Sequence, residues 1–270
     1  MPATEVVDLP QQAARLADAV REAGALALAM FKTPLKNWTK GEALSPVSDA
    51  DIAVDVLLRE RLTSNEPSIG WLSEESVDDP ARLDARHVWI VDPIDGTRAY
   101  IAGLPEWAVS VALVENGRPI AACLYAPAID EFFVASAGGG ATLNGKAIAA
   151  SRGPELAQTR IAGPKRLLER LQTTVPPFTV MPRIPSLALR LARVAQGTYD
   201  VAIAGGNSHD WDLAAADLLV HEAGGALTPF GGGPVTYNCP VPRHGMLVAA
   251  GRDRHAALIK LLGDERLALS

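Results

Sequence analysis

The stretch His87 to Tyr100, HVWIVDPIDGTRAY, limits what this chain can fold into more than any other. Val88, Trp89, Ile90 and Val91 form a β-branched and aromatic run of the kind that makes a buried strand. Asp92, Pro93, Ile94, Asp95, Gly96 and Thr97 follow directly. Pro93 lacks an amide donor and is expected to stop the ladder, while Gly96 lets the backbone turn tightly and approach a ligand. Asp92 and Asp95 can therefore converge on one point at the rim of a sheet. Hard divalent cations take oxygen ligands, and Mg²⁺ uses one or two carboxylates with water and phosphate in its other positions. An Asp-Gly turn closed by Thr also occurs as a plain turn, so the other acidic stretches must decide between the two readings.

Length and charge bound the rest. A chain of 270 residues fits one large domain or two small ones, and an apolar share of 48% is ample for a substantial core. The formal net charge of −6, without clustered Lys and Arg, argues against a nucleic-acid polymer as the main partner. An anionic substrate would then need local help, such as a metal. Cys123 and Cys239 lie far apart without metal-type spacing, which fits free thiols in a reducing cytoplasm better than a disulfide or zinc pair. The N-terminal stretch has no basic region, and its longest apolar run, Ala23 to Phe31, is too short and too broken by Gly24 to cross a membrane. Neither an export signal nor an anchor is expected.

Leu9 to Phe31 reads as an amphipathic helix lying on the core. A polar loop is expected from Lys36 to Pro46, followed by Val47, Ser48, Asp49, Ala50 and Asp51 and a helix to Leu62. Ser48 or Asp49 suits an N-cap, and Asp51 falls in the first turn, where it complements the helix dipole or faces a neighbouring site. Ser68 to Ser73 is strand-like and ends at Glu74 and Glu75; two such strand ends carrying carboxylates can lie side by side in one sheet. Trp107 to Glu115, Arg118 to Tyr125 and Glu131 to Ser136 predict an antiparallel meander, with Asn116-Gly117 as a hairpin turn. Gly138 to Gly140 lacks the spacing of a nucleotide-binding loop and reads as a turn.

The pattern weakens from Ala150 to Pro164, a candidate boundary. Beyond it, Pro185 to Gln196 predicts a helix and Tyr199 to Ala204 a strand. A loop follows, then a long helix from Asp210 to Glu222, stopped by Gly224 and Gly225 and carrying Asp212 at its N-terminal end. On local grounds alone an N-cap role is the favoured explanation of Asp212. His209 and His221 have no metal-type partners at helical spacing and read as surface or loop residues. Met246 to Ala250 predicts a strand, and a final helix is expected from Arg254.

Together these stretches resemble the inositol monophosphatase family of Mg²⁺-dependent, lithium-sensitive phosphomonoesterases. Glu74-Glu75-Ser76 is similar to the family's Glu-Glu segment, and Asp92-Pro93-Ile94-Asp95-Gly96-Thr97 matches its most diagnostic signature. Trp211-Asp212 with Glu222-Ala223-Gly224-Gly225 matches the C-terminal signature, and Lys40 with Ser45-Pro46-Val47 and Ala50-Asp51 looks like the upstream motif. The resemblance implies a layered αβαβα sugar-phosphatase fold, with an α+β N-terminal part (1–152), a smaller α/β C-terminal part (153–270) and the site between them. It also implies two to three Mg²⁺ ions, a small phosphorylated substrate and a homodimer. By resemblance, Glu74, Asp92 and the carbonyl of Ile94 hold a first metal, and Asp92, Asp95 and Asp212 hold a second, weaker one. A third is often bound near Glu74. Asp51 and Thr97 form a hydrogen-bonded pair beside the nucleophilic water, and Glu74 with Thr97 accepts or orients its proton; these three are the expected catalytic residues. The phosphate is expected over the amides of Gly96 and Thr97, facing Asp95 and Asp212.

The sequence departs from the family where substrate is chosen. Animal inositol enzymes carry a glutamate several residues before Trp-Asp that binds a substrate hydroxyl; here that neighbourhood is Ala204, Gly205, Gly206, Asn207 and Ser208. Ser45-Pro46-Val47 and the Pro-Ala after Tyr125 look like the bacterial bisphosphate nucleotidase branch, and histidinol-phosphate phosphatase shares the metal motifs. A regulatory relative that binds RNA polymerase is the reading from a different class. Ser186, Asn207 and Ser208 are candidate neutral substrate contacts and Arg183 a charged one, against ordinary roles as loop and helix-start residues.

Overall fold

The protein is described from a computed structural model covering residues 8–40, 45–64, 66, 68–173 and 175–264. The N-terminal residues 1–7, on which part of the export-signal expectation falls, and residues 41–44 of the expected loop lie outside the described residues.

Helix α1 (Leu9–Met30) starts at Asp8, whose side chain accepts from the Gln11 amide, and buries Leu16, Ala19, Val20, Ala23 and Ala27 on one face. The segment expected as a loop instead forms an antiparallel pair, β1 (Asn37–Lys40) and β2 (Ser45–Ser48). Its exposed, polar first strand carries no alternation for sequence reading to find. Helix α2 (Asp49–Thr63) follows, then β3 (Gly70–Ser73) and β4 (His87–Asp95). After β4 come the short helix α3 (Thr97–Ile101) and the meander β5 (Ala108–Glu115), β6 (Arg118–Ala126), β7 (Glu131–Ser136), β8 (Gly140–Leu143) and β9 (Lys146–Ala147). Asn116 and Gly117 adopt φ of 48° and 77°, the left-handed pair that a two-residue hairpin turn needs.

The second half contains β10 (Arg160–Ala162), α4 (Lys165–Leu171), β11 (Thr179–Val180), α5 (Leu187–Ala195) and β12 (Val201–Ala204). It continues with β13 (Ser208–His209), α6 (Asp210–Glu222), β14 (Gly225–Pro229), β15 (Arg243–His244), β16 (Leu247–Gly251) and α7 (Arg252–Asp264).

Strands β3 to β9 form a seven-stranded sheet in sequence order, and a five-stranded sheet runs β11-β10-β12-β16-β14. Alternation along β4 sets the layers. Trp89 and Val91 face a core with α1 and α2, whereas Val88 and Ile90 face a core with α5 and α6. The same α5–α6 core takes Ala162, Ala202 and Ala249 from the second sheet, whose other face packs Ile161, Val201 and Val248 against Leu168 of α4 and Leu258 of α7. The order is α, β, α, β, α, the layered arrangement the resemblance implies. Because burying one Val or Ile contributes about 1.5–3 kcal/mol, a one-residue slip of β4 would exchange two filled faces and is strongly disfavoured. Position 152 lies between β9 and β10, and the side chains between the sheets come from both sides of it.

Candidate active site

Strands β3 and β4 are parallel, with Ser73 beside Val91, so the chain leaves both at the same rim. The Glu74 amide donates to the Val91 carbonyl at 3.2 Å, which holds Glu74 against the start of the Asp92–Asp95 segment. Contrary to the expectation that Pro93 ends the ladder, β4 runs on to Asp95. Asp92 pairs with Ser110, a register irregularity absorbs the missing Pro93 donor, and Asp95 pairs again with Ala108. Asp92 Oδ1 accepts from the Ile94 amide at 3.0 Å inside this bulge. Gly96 then turns with φ of 95°; a Cβ there would stand 3.2 Å from the Glu106 carbonyl and 3.3 Å from the Ser186 nitrogen, so both conformation and space require glycine.

The neighbouring elements aim two more acids at this rim. Ser48 caps α2 in a capping box: Asp51 Oδ2 accepts from the Ser48 amide at 2.8 Å and its hydroxyl at 2.5 Å. Asp51 Oδ1 is left facing Thr97, whose hydroxyl lies 3.2 Å from it and 3.0 Å from the Ile94 carbonyl. A hydroxyl has one proton, so Thr97 shares it between these acceptors. Asp212 sits in the first turn of α6, where its Oδ2 accepts from the His209 amide at 2.6 Å. Ligand oxygens of Asp92, Asp95 and Asp212 all lie within 4.8 Å of one another, close enough for one cation to be shared. They line a cavity of about 470 Å³ with Glu74, Gly96, Thr97, Ser45, Pro46, Arg98, Arg183 and Pro185.

So many acids at one buried place disfavour full ionisation. Burial, with the charges of Glu74, Asp95 and Asp212, pushes Asp92 well above the usual carboxylate range. Burial and Asp212 raise Asp95 to about 7, although Ser186, Ala188 and Leu187 donate to it. Asp51 is raised by burial against the hydrogen bonds from Ser48 and Thr97, and Glu74 is raised by burial with Lys40 opposing. Lys40 Nζ reaches Glu74 Oε1 at 3.3 Å and Glu75 Oε1 at 2.6 Å. Burial works against its charge, yet the two glutamates outweigh that and hold the ammonium above the usual lysine range. An oxygen-only donor set, buried and with its ionisation suppressed, suits a hard multivalent cation, whose charge would restore the ionised forms.

Residues 9–266 match the inositol monophosphatase family. The chain belongs to that family. It is 34% identical over 241 residues, covering 85% of this chain and 88% of the relative, to a protein named inositol monophosphatase from Dictyostelium discoideum. It is 36% identical over 217 residues, 72% of this chain and 81% of the relative, to a histidinol-phosphatase from Mycobacterium tuberculosis. The crystal structure of the extragenic suppressor protein SuhB from Bartonella henselae superposes with a TM-score of 0.80 at 31% identity, covering 92% of this chain and 97% of that one. This member of a metal-dependent phosphatase family thus carries at its strand ends an acidic cluster able to hold metal.

The expected phosphate contacts Asp95, Gly96, Thr97 and Asp212 line the cavity, and of Ser186, Asn207, Ser208 and Arg183 only the exposed Arg183 does. Ser186 is fully buried and already engaged: its Oγ caps α5 by accepting from the Leu189 amide at 3.0 Å and donates to Asp95 Oδ2 at 2.5 Å. It is a support for Asp95, not an open contact. Ser208 is buried with its hydroxyl donated to the Gly205 carbonyl at 3.0 Å, and exposed Asn207 turns with φ of 71°; neither is on the cavity wall. Lys40 belongs to the upstream motif by resemblance, but its pairing with Glu74 and Glu75 is not visible from the sequence, because these partners lie 34 and more positions away, beyond a pair of strands that carries no apolar alternation; Arg98 on the cavity wall has no signal in the sequence.

Proposed function

We propose that this chain is a Mg²⁺-dependent phosphomonoesterase that hydrolyses inositol 1-phosphate together with other small phosphate esters. The convergence of Asp92, Asp95 and Asp212 within 4.8 Å, from two separate segments, carries the reading. Asp92, Asp95, Asp212, Glu74 and the Ile94 carbonyl would hold two or three Mg²⁺ ions, which would supply Lewis-acid charge and lower the pKa of water. The chain does the rest. Thr97, held by Asp51, orients the attacking water, and Glu74 beside it takes the proton. The amides of Gly96 and Thr97, at the start of α3, receive the phosphate oxygens. No covalent intermediate on the protein is required.

Substrate choice follows from what lines the mouth. Besides the acids themselves, Arg98, Arg183, Pro46 and Pro185 surround the opening, and among the described residues no further carboxylate lines it to receive a sugar hydroxyl. A buried acceptor of that kind would leave itself unpaired with the wrong ester and so discriminate sharply. Without it, inositol 1-phosphate, histidinol phosphate and nucleoside bisphosphates should compete within about two orders of magnitude in kcat/KM. The relation to SuhB raises a regulatory role as the second reading. Buried like charges this close serve catalysis and are a burden on a docking surface, which favours the enzyme. The family resemblance supports a homodimer, and the free thiols of Cys123 and Cys239 support a cytoplasmic location.

A panel of phosphate esters, assayed with Mg²⁺ and with excess chelator, tests the reading. Metal-dependent release from several esters is expected; no release from any, or release indifferent to chelator, would overturn it.

A further inference from the structure

A larger cavity, of about 760 Å³, lies away from the catalytic carboxylates, where the start of β6, the later turns of α6 and β14 leave a gap between the two sheets. Pro119, Ile120, Leu218, Leu227 and Val235 give it an apolar wall. The segment carrying Val235 is strapped across it: Arg118 donates to the Val235 carbonyl at 2.8 Å and the Tyr237 amide to the Gly117 carbonyl at 3.1 Å. Such a space holds a small organic molecule.

One charged group in this wall is only half used. Asp217 Oδ2 accepts from the Tyr237 hydroxyl at 2.9 Å, and Oδ1 accepts no hydrogen bond among the described residues. Asp217 lines the cavity and is partly buried. Burial raises this carboxyl to about 6, with Tyr237, Arg118 and His244 opposing. Arg118 lines the same cavity and attracts the Asp217 charge without bonding it, and the remaining charged groups of the wall have other partners or lie at its edge. Arg118 is held by the Val235 carbonyl, while Glu222 accepts from the amides of Gly138 and Gly140 at 3.0 and 2.9 Å. His221 lies exposed at the rim. If Asp217 served only to hold Tyr237, a neutral acceptor would do so without the cost of burying a charge.

We propose that this cavity is a binding site for a small amphipathic amine, whose ammonium pairs with Asp217 Oδ1 while its apolar body fills the space between Pro119, Leu218 and Leu227. An anion would be repelled there, and a neutral molecule would leave the carboxylate unpaired. Metal and phosphate at the catalytic rim have no part in this.

The probes are 2-phenylethylamine and its neutral analogue 2-phenylethanol, titrated calorimetrically into the full chain and into D217N and A226F. Asn keeps an acceptor for Tyr237, and Phe at Ala226 fills the cavity from β14. The amine is expected to bind the unsubstituted chain about tenfold more tightly than the alcohol, since a charge-assisted hydrogen bond adds to the same apolar contact. D217N should lose that preference, and A226F should lose binding of both. The proposal is overturned if the amine does not bind, if it shows no preference over the alcohol, or if D217N or A226F binds it unchanged. The last outcome would place the amine on the catalytic acids instead. None of these readouts depends on phosphatase activity.

Discussion

Ser186 donates its hydroxyl to the Asp95 carboxylate at 2.5 Å across 91 positions of sequence, and the same oxygen caps helix α5. The helix that fills the space between the sheets is thereby tied to an acid of the catalytic rim. S186A should lose about 1 kcal/mol through the missing cap. It should also leave Asp95, among the described residues, with only the Leu187 and Ala188 amides as donors, raising its pKa further and weakening metal binding. The Mg²⁺ concentration for half-maximal phosphate release should rise and the acid limb of the pH profile should move to higher pH. An unchanged metal requirement with lowered thermal stability would reduce Ser186 to a cap.

The crowded acids set the pH dependence of stability. Asp95 and Glu75 are both raised to about 7 by burial, and Asp92 is raised well above its ordinary range by burial and the surrounding acids. A carboxyl raised in the folded state binds protons more tightly there than in the unfolded chain. Its contribution is therefore complete below the unfolded value near 4 and is lost as pH rises through about 7. With chelator present, Tm should fall as pH rises from about 4 to about 7. Added Mg²⁺, which favours the ionised forms, should reverse that slope; thermal melts with and without metal decide it.

Glu222 belongs to the C-terminal signature but does not reach the catalytic cavity. Its two carboxylate oxygens accept from the Gly138 and Gly140 amides and pin the turn between β7 and β8 to the end of α6. E222A should cost about 1–3 kcal/mol of stability and leave kcat/KM within about threefold of the unsubstituted chain. Denaturant unfolding and initial rates check the two halves separately.

Much of this was legible because local physics and tertiary need coincide. The run Val88 to Val91 reads as a buried strand and is buried on both faces; Asn116-Gly117 reads as a hairpin and takes the left-handed angles. The parallel approach of the Glu74 and Asp92 strand ends followed from two apolar runs that stop at acids. What stayed hidden depended on partners far along the chain. Ser186 looks like any helix start until Asp95 is placed beside it, and Lys40 lies on a strand with no apolar alternation. Pro93 misled for a physical reason: it does remove a donor, but a bulge lets the ladder resume at Asp95 instead of ending.

Lithium should inhibit phosphate release at roughly millimolar concentration, uncompetitively or noncompetitively with substrate. Asp212 keeps a side-chain exposure of 21%, so the Asp95–Asp212 side of the cluster remains open to exchange of a small hard cation. Initial rates at saturating Mg²⁺ with rising LiCl test this, and indifference over the whole practical range would contradict a second, weaker metal position.

The central claim is that the carboxylates gathered around Asp92 work through a metal. Asp92 is 1% exposed and stands within 4.8 Å of Asp95 and Asp212, so D92N removes a shared ligand while keeping its size. The decisive measurement is phosphate release from inositol 1-phosphate by the unsubstituted chain and by D92N across a Mg²⁺ titration, with folding of both verified by their thermal melts. The account predicts saturable Mg²⁺ activation of the unsubstituted chain and a loss on the order of a thousandfold or more in D92N that added Mg²⁺ does not restore. A folded D92N that turns over at the unsubstituted rate would contradict it.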